Sequence, residues 1–211
     1  VDAGDLTTTS KTGTGLANAT RGIAYLNNGD TIDYYTMASS GNAVDFGNAT
    51  FSGGANGMGY ASSTRGVYGG VWVSPTAVNT LDYITIATTG NASDFGDLTV
   101  AQFGASGGSN ATRGVCMGGY MYPSPDASTN VINYVTIATT GNASDFGDCT
   151  ANHYTAGSAS STRMISGGGG TPFTNAIQYV EIMTTGNAAD FGDLSTTKRH
   201  LESCSNGHGG L

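Results

Sequence analysis

Charge is what this chain of 211 residues has least of. Only 10% of its residues are Asp, Glu, Lys or Arg, against about 25% in ordinary soluble domains. Basic residues are the scarcer kind: 7 Lys and Arg stand against 15 Asp and Glu, for a net charge of −8. Nucleic-acid binding needs a basic face to meet phosphates, so the composition argues against that class. No apolar run approaches the about 20 residues of a membrane helix. No basic segment followed by an apolar one opens the chain, as it would in a signal peptide. The 3 cysteines cannot all pair within one chain, which excludes a disulfide scaffold. Proline is limited to 4 residues and tryptophan to 1. What abounds is glycine, 34 residues, about double the usual share of roughly 7%. Low charge with much glycine suits disorder, but 38% hydrophobic and 9% aromatic residues supply the apolar surface a core needs.

The chain repeats itself. Asp33-Tyr34-Tyr35-Thr36-Met37 returns as Asp82 to Ile86, Asn133 to Ile137 and Gln178 to Ile182, each followed by Gly-Asn-Ala-x-Asp-Phe-Gly starting at Gly41, Gly90, Gly141 and Gly186. These glycines are 49, 51 and 45 residues apart. A Thr-Arg pair recurs with Arg21, Arg65, Arg113 and Arg163. From the tyrosine (34, 83, 134, 179) to the Phe of Asp-Phe-Gly (46, 95, 146, 191) is 12 residues every time, whereas the arginine-to-tyrosine interval runs 13, 18, 21 and 16. Constant spacing marks packed scaffold; variable spacing marks a surface loop.

Each repeat reads as short strands. Tyr83 to Ala87 is β-branched and apolar on both faces, the pattern of a strand covered on two sides. Thr88-Thr89-Gly90-Asn91 is turn chemistry, and Ser93 to Thr99 closes a hairpin. Arg65 to Val73 and Arg113 to Tyr122 are a further strand, carrying the glycine pairs Gly69-Gly70, Gly118-Gly119 and, in the fourth repeat, Gly167-Gly168. Gln102 to Ser109 is the fourth strand of its unit. No segment has sustained helical periodicity. About four strands per 45–50 residues is the pattern of an all-β propeller.

The order Arg, Gly-Gly, then Asn79-x-Leu81-Asp82-Tyr83 resembles a kelch-type repeat, with Phe46, Phe95, Phe146 and Phe191 where the last kelch strand usually carries Trp. Asn79 to Leu98 and Asn130 to Cys149 also resemble repeats in structural proteins of marine bacteriophages. That resemblance covers nearly the whole chain. It implies a non-enzymatic protein of the virion surface or tail fibre, extracellular, meeting host glycans or proteins or other virion subunits, and forming homo-oligomers within a particle. Membrane insertion is not implied. A secreted or cell-surface lectin-like carbohydrate-binding module is the alternative. The expected units are 1–6 (the end of a preceding repeat), 7–47, 48–96, 97–147, 148–192 and a partial repeat over 193–211. A chain that opens inside a motif and without Met reads as a piece of a longer one; the other reading is a ring of five blades in which the two terminal pieces share a blade.

A catalytic residue is needed once per site, but Arg21, Arg65, Arg113, Arg163 and Asp45, Asp94, Asp145, Asp190 occur once per repeat. They are expected to be structural, as ion pairs between strands or blades and hydrogen bonds to loop backbone. Calcium could use the oxygen-rich Asp-Phe-Gly-Asp loops, but turn capping by Asn and Asp accounts for them, and no cofactor is expected. The spacing of His200, Glu202, Cys204 and His208 would place all four on one side of an extended strand, which permits zinc; a terminal strand with one chance Cys is the blander reading. Cys116 and Cys149 read as small core residues. His153 stands alone in a variable stretch, and no nucleophile elbow or phosphate loop is present. The Asn-x-Ser/Thr sequons at Asn18, Asn48, Asn91, Asn110 and Asn142 follow from the repeat. The variable connection holds all 4 prolines and holds or borders Trp72, Tyr120, Tyr122 and Phe173. These four aromatics are the candidate ligand-binding residues; packing between neighbouring blades is the competing role for Trp72 and Tyr120.

Overall fold

The computed structural model describes residues 3–27, 29–150, 154–170 and 172–205. His153 and His208 lie outside them. The described residues form an all-β structure without helix, built from four antiparallel four-stranded sheets and two small two-stranded ladders. Sheet 1 contains β1 (Gly13–Ala17), β2 (Arg21–Leu26), β3 (Thr31–Thr36) and β4 (Val44–Asn48). Sheet 2 runs β5 (Met58–Ala61), β6 (Arg65–Gly69), β9 (Thr80–Thr85), β10 (Ser93–Asp97), and its ladder β7 (Trp72–Val73) with β8 (Thr76–Ala77) sits between β6 and β9. Sheet 3 repeats this with β11 (Ser106–Ser109), β12 (Arg113–Met117), β15 (Val131–Thr136) and β16 (Ser144–Asp148), around the ladder β13 (Tyr120–Met121) and β14 (Ala127–Ser128). Sheet 4 has β17 (Ala156–Ala159), β18 (Arg163–Gly167), β19 (Ala176–Glu181) and β20 (Ala189–Asp193). The first strands β1, β5, β11 and β17 lie against one another in succession.

Strand limits differ from the sequence expectation where a local bond competes. Arg65 to Val73 breaks after Gly69 because Gly70 turns the chain with φ +58°, and β7 leaves as part of the loop ladder. The run from Gln102 becomes a strand only at Ser106, since Phe103 bridges to Tyr120 instead. The third strand starts earlier than the apolar run suggests, at Thr80, because Thr80 pairs with Asp97.

The constant spacing of 12 has a direct cause. Between β3 and β4 the register jumps from Asp33↔Asp45 to Ile32↔Gly47, so Phe46 is the extra residue of a bulge. The same jump skips Phe95, Phe146 and Phe191. A bulge re-aims its side chain, and each phenylalanine meets its tyrosine edge-on, with ring centroids 6.0, 6.1, 5.9 and 6.0 Å apart. The repeated arginine covers the same tyrosine, its guanidinium carbon 4.4, 4.5, 4.2 and 4.3 Å from the ring centroid. Cation–π attraction of this kind strengthens as water is excluded.

The arginines also tie sheet to sheet. Arg21 donates to the Ile86 carbonyl at 2.9 Å, Arg65 to those of Ile137 and Ala138 at 3.0 and 2.9 Å, and Arg113 to that of Ile182 at 3.0 Å. The expected pairing with the aspartates of Asp-Phe-Gly does not occur. Asp45, Asp94, Asp145 and Asp190 are all exposed, and Asp94 accepts from the Gly96 amide two residues on. Among the described residues the one ion pair is Arg163 with Glu181 at 2.7 Å, both partly exposed, and such pairs contribute little. A guanidinium satisfied by ring face and carbonyls has no need of a carboxylate, and an exposed carboxylate is better left in water.

The sheets are clasped through the Asp-Phe-Gly segments. Gly90 N–H donates to the Phe46 carbonyl and Ala92 N–H to that of Asn48, while Asn91 Oδ1 accepts from the Asn48 amide. Sheets 2 and 3, and 3 and 4, repeat all three bonds. Residues 3–5 make them to the Gly41–Ala43 turn of sheet 1. Beneath, apolar clusters fill each inter-sheet space: Ile23, Tyr25 and Phe46 against Tyr68, Ile84 and Ile86; Tyr60, Val67 and Phe95 against Cys116, Val135 and Ile137; Met117, Ile132 and Phe146 against Met164, Val180 and Ile182. Phe46, Phe95 and Phe146 are 2–3% exposed, and Phe191 is 52% exposed. Cys116 is buried in this packing, whereas Cys149 is half-buried and its thiol donates to the Asn130 carbonyl. Burial pushes the Cys116 thiol up to about 12, so it is inert at neutral pH.

A second recurring latch uses the residue before each tyrosine. Asp33 accepts from the amide and hydroxyl of Thr7, Asp82 from those of Thr50, and Asn133 from those of Thr99, while Gln178 accepts from the Thr150 amide. All four acceptors are buried. Burial raises the pKa of Asp82, opposed by the two Thr50 bonds and helped by nearby Asp94. A raised acid pKa means the folded state loses stability as pH climbs through it. An amide in this slot, as at Asn133, is free of that penalty. The Tm of Asp82→Asn relative to wild type should therefore improve by a few degrees between pH 4 and pH 8 in thermal melts. A difference that stays constant across that range would show the carboxylate to be unperturbed.

Candidate binding surface at the loop end

An up-and-down four-stranded sheet puts its second turn and its link to the next sheet at one end. Here that end holds the variable β2–β3, β6–β9, β12–β15 and β18–β19 connections and every proline. The links 49–57 and 98–105 lie at that same end. Glycine opens the space: Gly70, Gly118 and Gly168 all turn out of the second strand at positive φ, +58°, +66° and +70°.

The links hold the loops by backbone bridges. Ala55 and Trp72 exchange two hydrogen bonds at 3.0 and 2.9 Å, and Phe103 and Tyr120 do the same at 3.0 and 2.8 Å. The Ala77 amide donates to the Tyr122 carbonyl, joining the loop of sheet 2 to that of sheet 3. This brings three of the four expected aromatics together. Trp72 lies 5.1 Å from Tyr122 and 5.2 Å from Phe103, and Phe103 is 5.8 Å from Tyr120. Tyr122 is 38% exposed, Trp72 and Tyr120 are half-buried, and Phe103 is buried beneath them. The Tyr120 hydroxyl donates to Asp126 at 2.6 Å, and that bond is the main cause that raises its pKa. Packing and exposure thus coexist in Trp72 and Tyr120. Phe173 is placed apart: 56% exposed, with the Arg199 guanidinium 5.0 Å above its ring.

The rings continue toward the first strands through residues the spacing analysis missed. Phe103 is 5.9 Å from Tyr154, and the Tyr154 and His200 rings lie 4.2 Å apart with their planes tilted by 32°. Tyr154 and His200 stand at equivalent places, together with Asn56 and Gly104. Successive members are joined by backbone bonds: Gly104 N–H to the Asn56 carbonyl at 2.7 Å, Tyr154 to Gly104 at 2.6 Å, His200 to Tyr154 at 3.0 Å. All four adopt left-handed φ, between +53° and +65°. The sequence signal was present as a fixed offset of nine residues before Arg65, Arg113 and Arg163, but Asn, Gly, Tyr and His share no side-chain chemistry.

These residues border a cavity of about 480 Å³ whose wall includes Lys11, Asn56, Gly104, Tyr154, His200 and Glu202. A second cavity, about 610 Å³, lies at the other ends of the first strands among Asn18, Tyr35, Ser62, Ser109 and Cys204. Asn18 and Asn110, two of the sequon residues, cap the turns there, accepting from Thr20 and Arg21 and from Thr112 and Arg113. His200, expected beside Cys204 on a strand, instead turns at φ +54° onto Tyr154, and residues 199–205 form no strand. Among the described residues no three His, Cys, Asp or Glu gather as a metal site. Compared with known proteins, the chain matches no family model and no curated sequence.

Proposed function

We propose that this chain is part of a kelch-like β-propeller that binds through its loop end and does no catalysis, serving on a virion surface or tail fibre in host attachment or in docking to other virion subunits. Four sheets with one strand order, placed first strand to first strand, support the propeller. The likeness of Asn79 to Leu98 and Asn130 to Cys149 to phage structural repeats supports the virion. The observation that carries the binding role is the joined set Trp72, Tyr120, Tyr122 and Phe103, gathered from two loops and the link between sheets 2 and 3 at the one end where length varies. Prolines in such loops lower the ordering cost of binding, and Trp and Tyr dominate interface hot spots. A lectin-like module of a secreted or cell-surface protein is the second reading, favoured by the partly exposed Trp72 and Tyr122 rings side by side.

Trp72→Ala with Tyr122→Ala should reduce attachment of the purified protein to host cells by about 30-fold or more, the effect of losing about 2 kcal/mol at a hot spot. The comparison requires circular dichroism and a melting curve showing a folded variant. Attachment at wild-type strength by that folded variant would rule the surface out.

A further inference from the structure

We propose that sheets 4 and 1 flank a docking slot for a β-hairpin of this chain's own repeat type, carried by a partner polypeptide. The first observation is exposure at positions that are buried elsewhere. Phe46, Phe95 and Phe146 are buried under the following sheet, but Phe191 of sheet 4 is 52% exposed. Two residues after the repeated arginine, Ile23, Val67 and Val115 are buried and Ile165 is only half-buried. Two residues before the repeated tyrosine, Ile32, Leu81 and Ile132 are buried and Ile177 is only half-buried. Sheet 1 presents the opposite side of the same contact. Its Tyr35 and Met37 are 43% and 55% exposed, where Ile84 and Ile86, Val135 and Ile137, and Val180 and Ile182 are buried against the preceding sheet. The polar groups agree. Arg21, Arg65 and Arg113 reach carbonyls of the next sheet, whereas Arg163 turns to Glu181 of its own. A Cβ on Gly47, Gly96 or Gly147 would collide with the turn of the next sheet, and one on Gly192 would meet nothing within 4 Å. Apolar surface held bare in this way marks a protein interaction site.

The second observation sets how much the partner brings. Five segments border both cavities: β1, β5, β11, β17 and residues 200–205. Residues 200–205 stand where a further first strand would, tied to their neighbour by the His200 amide on the Tyr154 carbonyl and the Ser203 hydroxyl on the Gly157 carbonyl. Residues 3–7 stand where a fourth strand would. They make to the Gly41–Ala43 turn and to Asp33 the bonds that residues 46–50 make to the Gly90–Ala92 turn and to Asp82. First and fourth places are taken; among the described residues the second and third are not. A complete four-stranded sheet brings two strands too many. A second copy does not fit either, because its sheet 1 already carries sheet 2 on the other face. What fits is two strands that are apolar on both faces, an arginine strand and a tyrosine strand ending in Gly-Asn-Ala. One face of that hairpin covers Ile165, Ile177 and Phe191, and the other covers Tyr35 and Met37. Its carbonyls supply what Arg163 lacks from a next sheet, and its turn repeats the clasp on the Phe191 carbonyl. Strand addition of this kind gains main-chain hydrogen bonds for affinity and side-chain pockets for specificity.

The test is calorimetric titration of the intact protein with a hairpin of its own sequence, residues 65–92, which spans an arginine strand, a tyrosine strand and Gly90-Asn91-Ala92 without cysteine. The hairpin is presented both as a free peptide and fused to a soluble carrier, so that an aggregated peptide is not taken for a non-binder. It should form an equimolar complex, and a scrambled peptide should form none. Phe191→Ser and Met37→Ser each change a side chain that is exposed in the free protein. Each should leave the melting curve within a few degrees of wild type and weaken the complex about 10-fold or more, the loss of one interface anchor. A requirement for both variants' side chains places the hairpin between the two sheets. Absence of binding in both presentations, equal binding of the scrambled peptide, or unchanged affinity in either variant overturns the proposal. Sedimentation of the protein alone tests the other occupant: a reversible dimer that is lost in Phe191→Ser would give the slot to a second copy and overturn the proposal as well.

Discussion

Gly96→Ala is expected to cost about 3–5 kcal/mol and to leave the chain largely unfolded at 37 °C, because losses of that size come from steric conflict at immovable positions. A Cβ on Gly96 would stand 2.6 Å from both the carbonyl carbon and oxygen of Gly141. Neither backbone can retreat. Gly141 is bonded to the Phe95 carbonyl, Ala143 to that of Asp97, and Asn142 holds the Asp97 amide. Gly96 also sits at φ +139°, where a side chain is strained on its own account by about 1–3 kcal/mol. The chain supplies its own control. Gly192 holds the same slot at φ +138°, and a Cβ there would meet nothing within 4 Å. Gly192→Ala should therefore cost only the backbone strain. Urea titration of both variants isolates the inter-sheet contact as their difference; equal losses would mean that the clasp does not hold the sheets.

Exchanging Tyr60 and Gly114 for the pair that nature places one interface later should show strong coupling. A Cβ on Gly114 would lie 2.5 Å from Tyr60 Cγ, and one on Gly66 would lie 2.7 Å from Leu16 Cδ1. Between sheets 3 and 4 the sizes are reversed: Gly108 takes the place of Leu16 and Tyr60, and Met164 that of Gly66 and Gly114, with Met164 Cγ 3.0 Å from a Cβ on Gly108. Tyr60→Gly alone removes a buried ring and should cost about 3–5 kcal/mol, the range for large-to-small core changes. Gly114→Met alone drives a side chain into that ring and should cost about 1–3 kcal/mol or more. Together they rebuild the Gly108–Met164 arrangement, and the double variant should recover about 1–3 kcal/mol relative to the sum, as contacting pairs do. Additive losses would show that each glycine serves its own backbone and not the side chain opposite.

The residues show where sequence reasoning stops. The all-β class, the repeat and the fixed tyrosine–phenylalanine interval were legible because they depend on neighbours within one hairpin. The variable loop was legible as the place where length changes. The aspartates of Asp-Phe-Gly misled for a physical reason: recurrence tells that a position matters, not whether its side chain or its neighbour's backbone does the work. Asp94 is exposed, while Gly96 two residues on makes the sheet contact. The partners of Arg21, Arg65 and Arg113 are carbonyls 65–73 residues away, and backbone acceptors leave no mark in composition. Asp33, Asp82, Asn133 and Gln178 share an acceptor oxygen, so their common role hid behind differing charge.

By itself the sequence determined a repeating β chain with little charge, a constant scaffold and one variable connection per unit, because local hydrophobic pattern and turn chemistry act over a few residues. The tertiary structure alone decided which glycines touch, that four arginines cover tyrosines and three of them reach the next sheet, and that Tyr154 and His200 join Trp72 and Tyr122 through Phe103. Those are meetings between segments far apart in the chain, and they depend on how one sheet is set against the next.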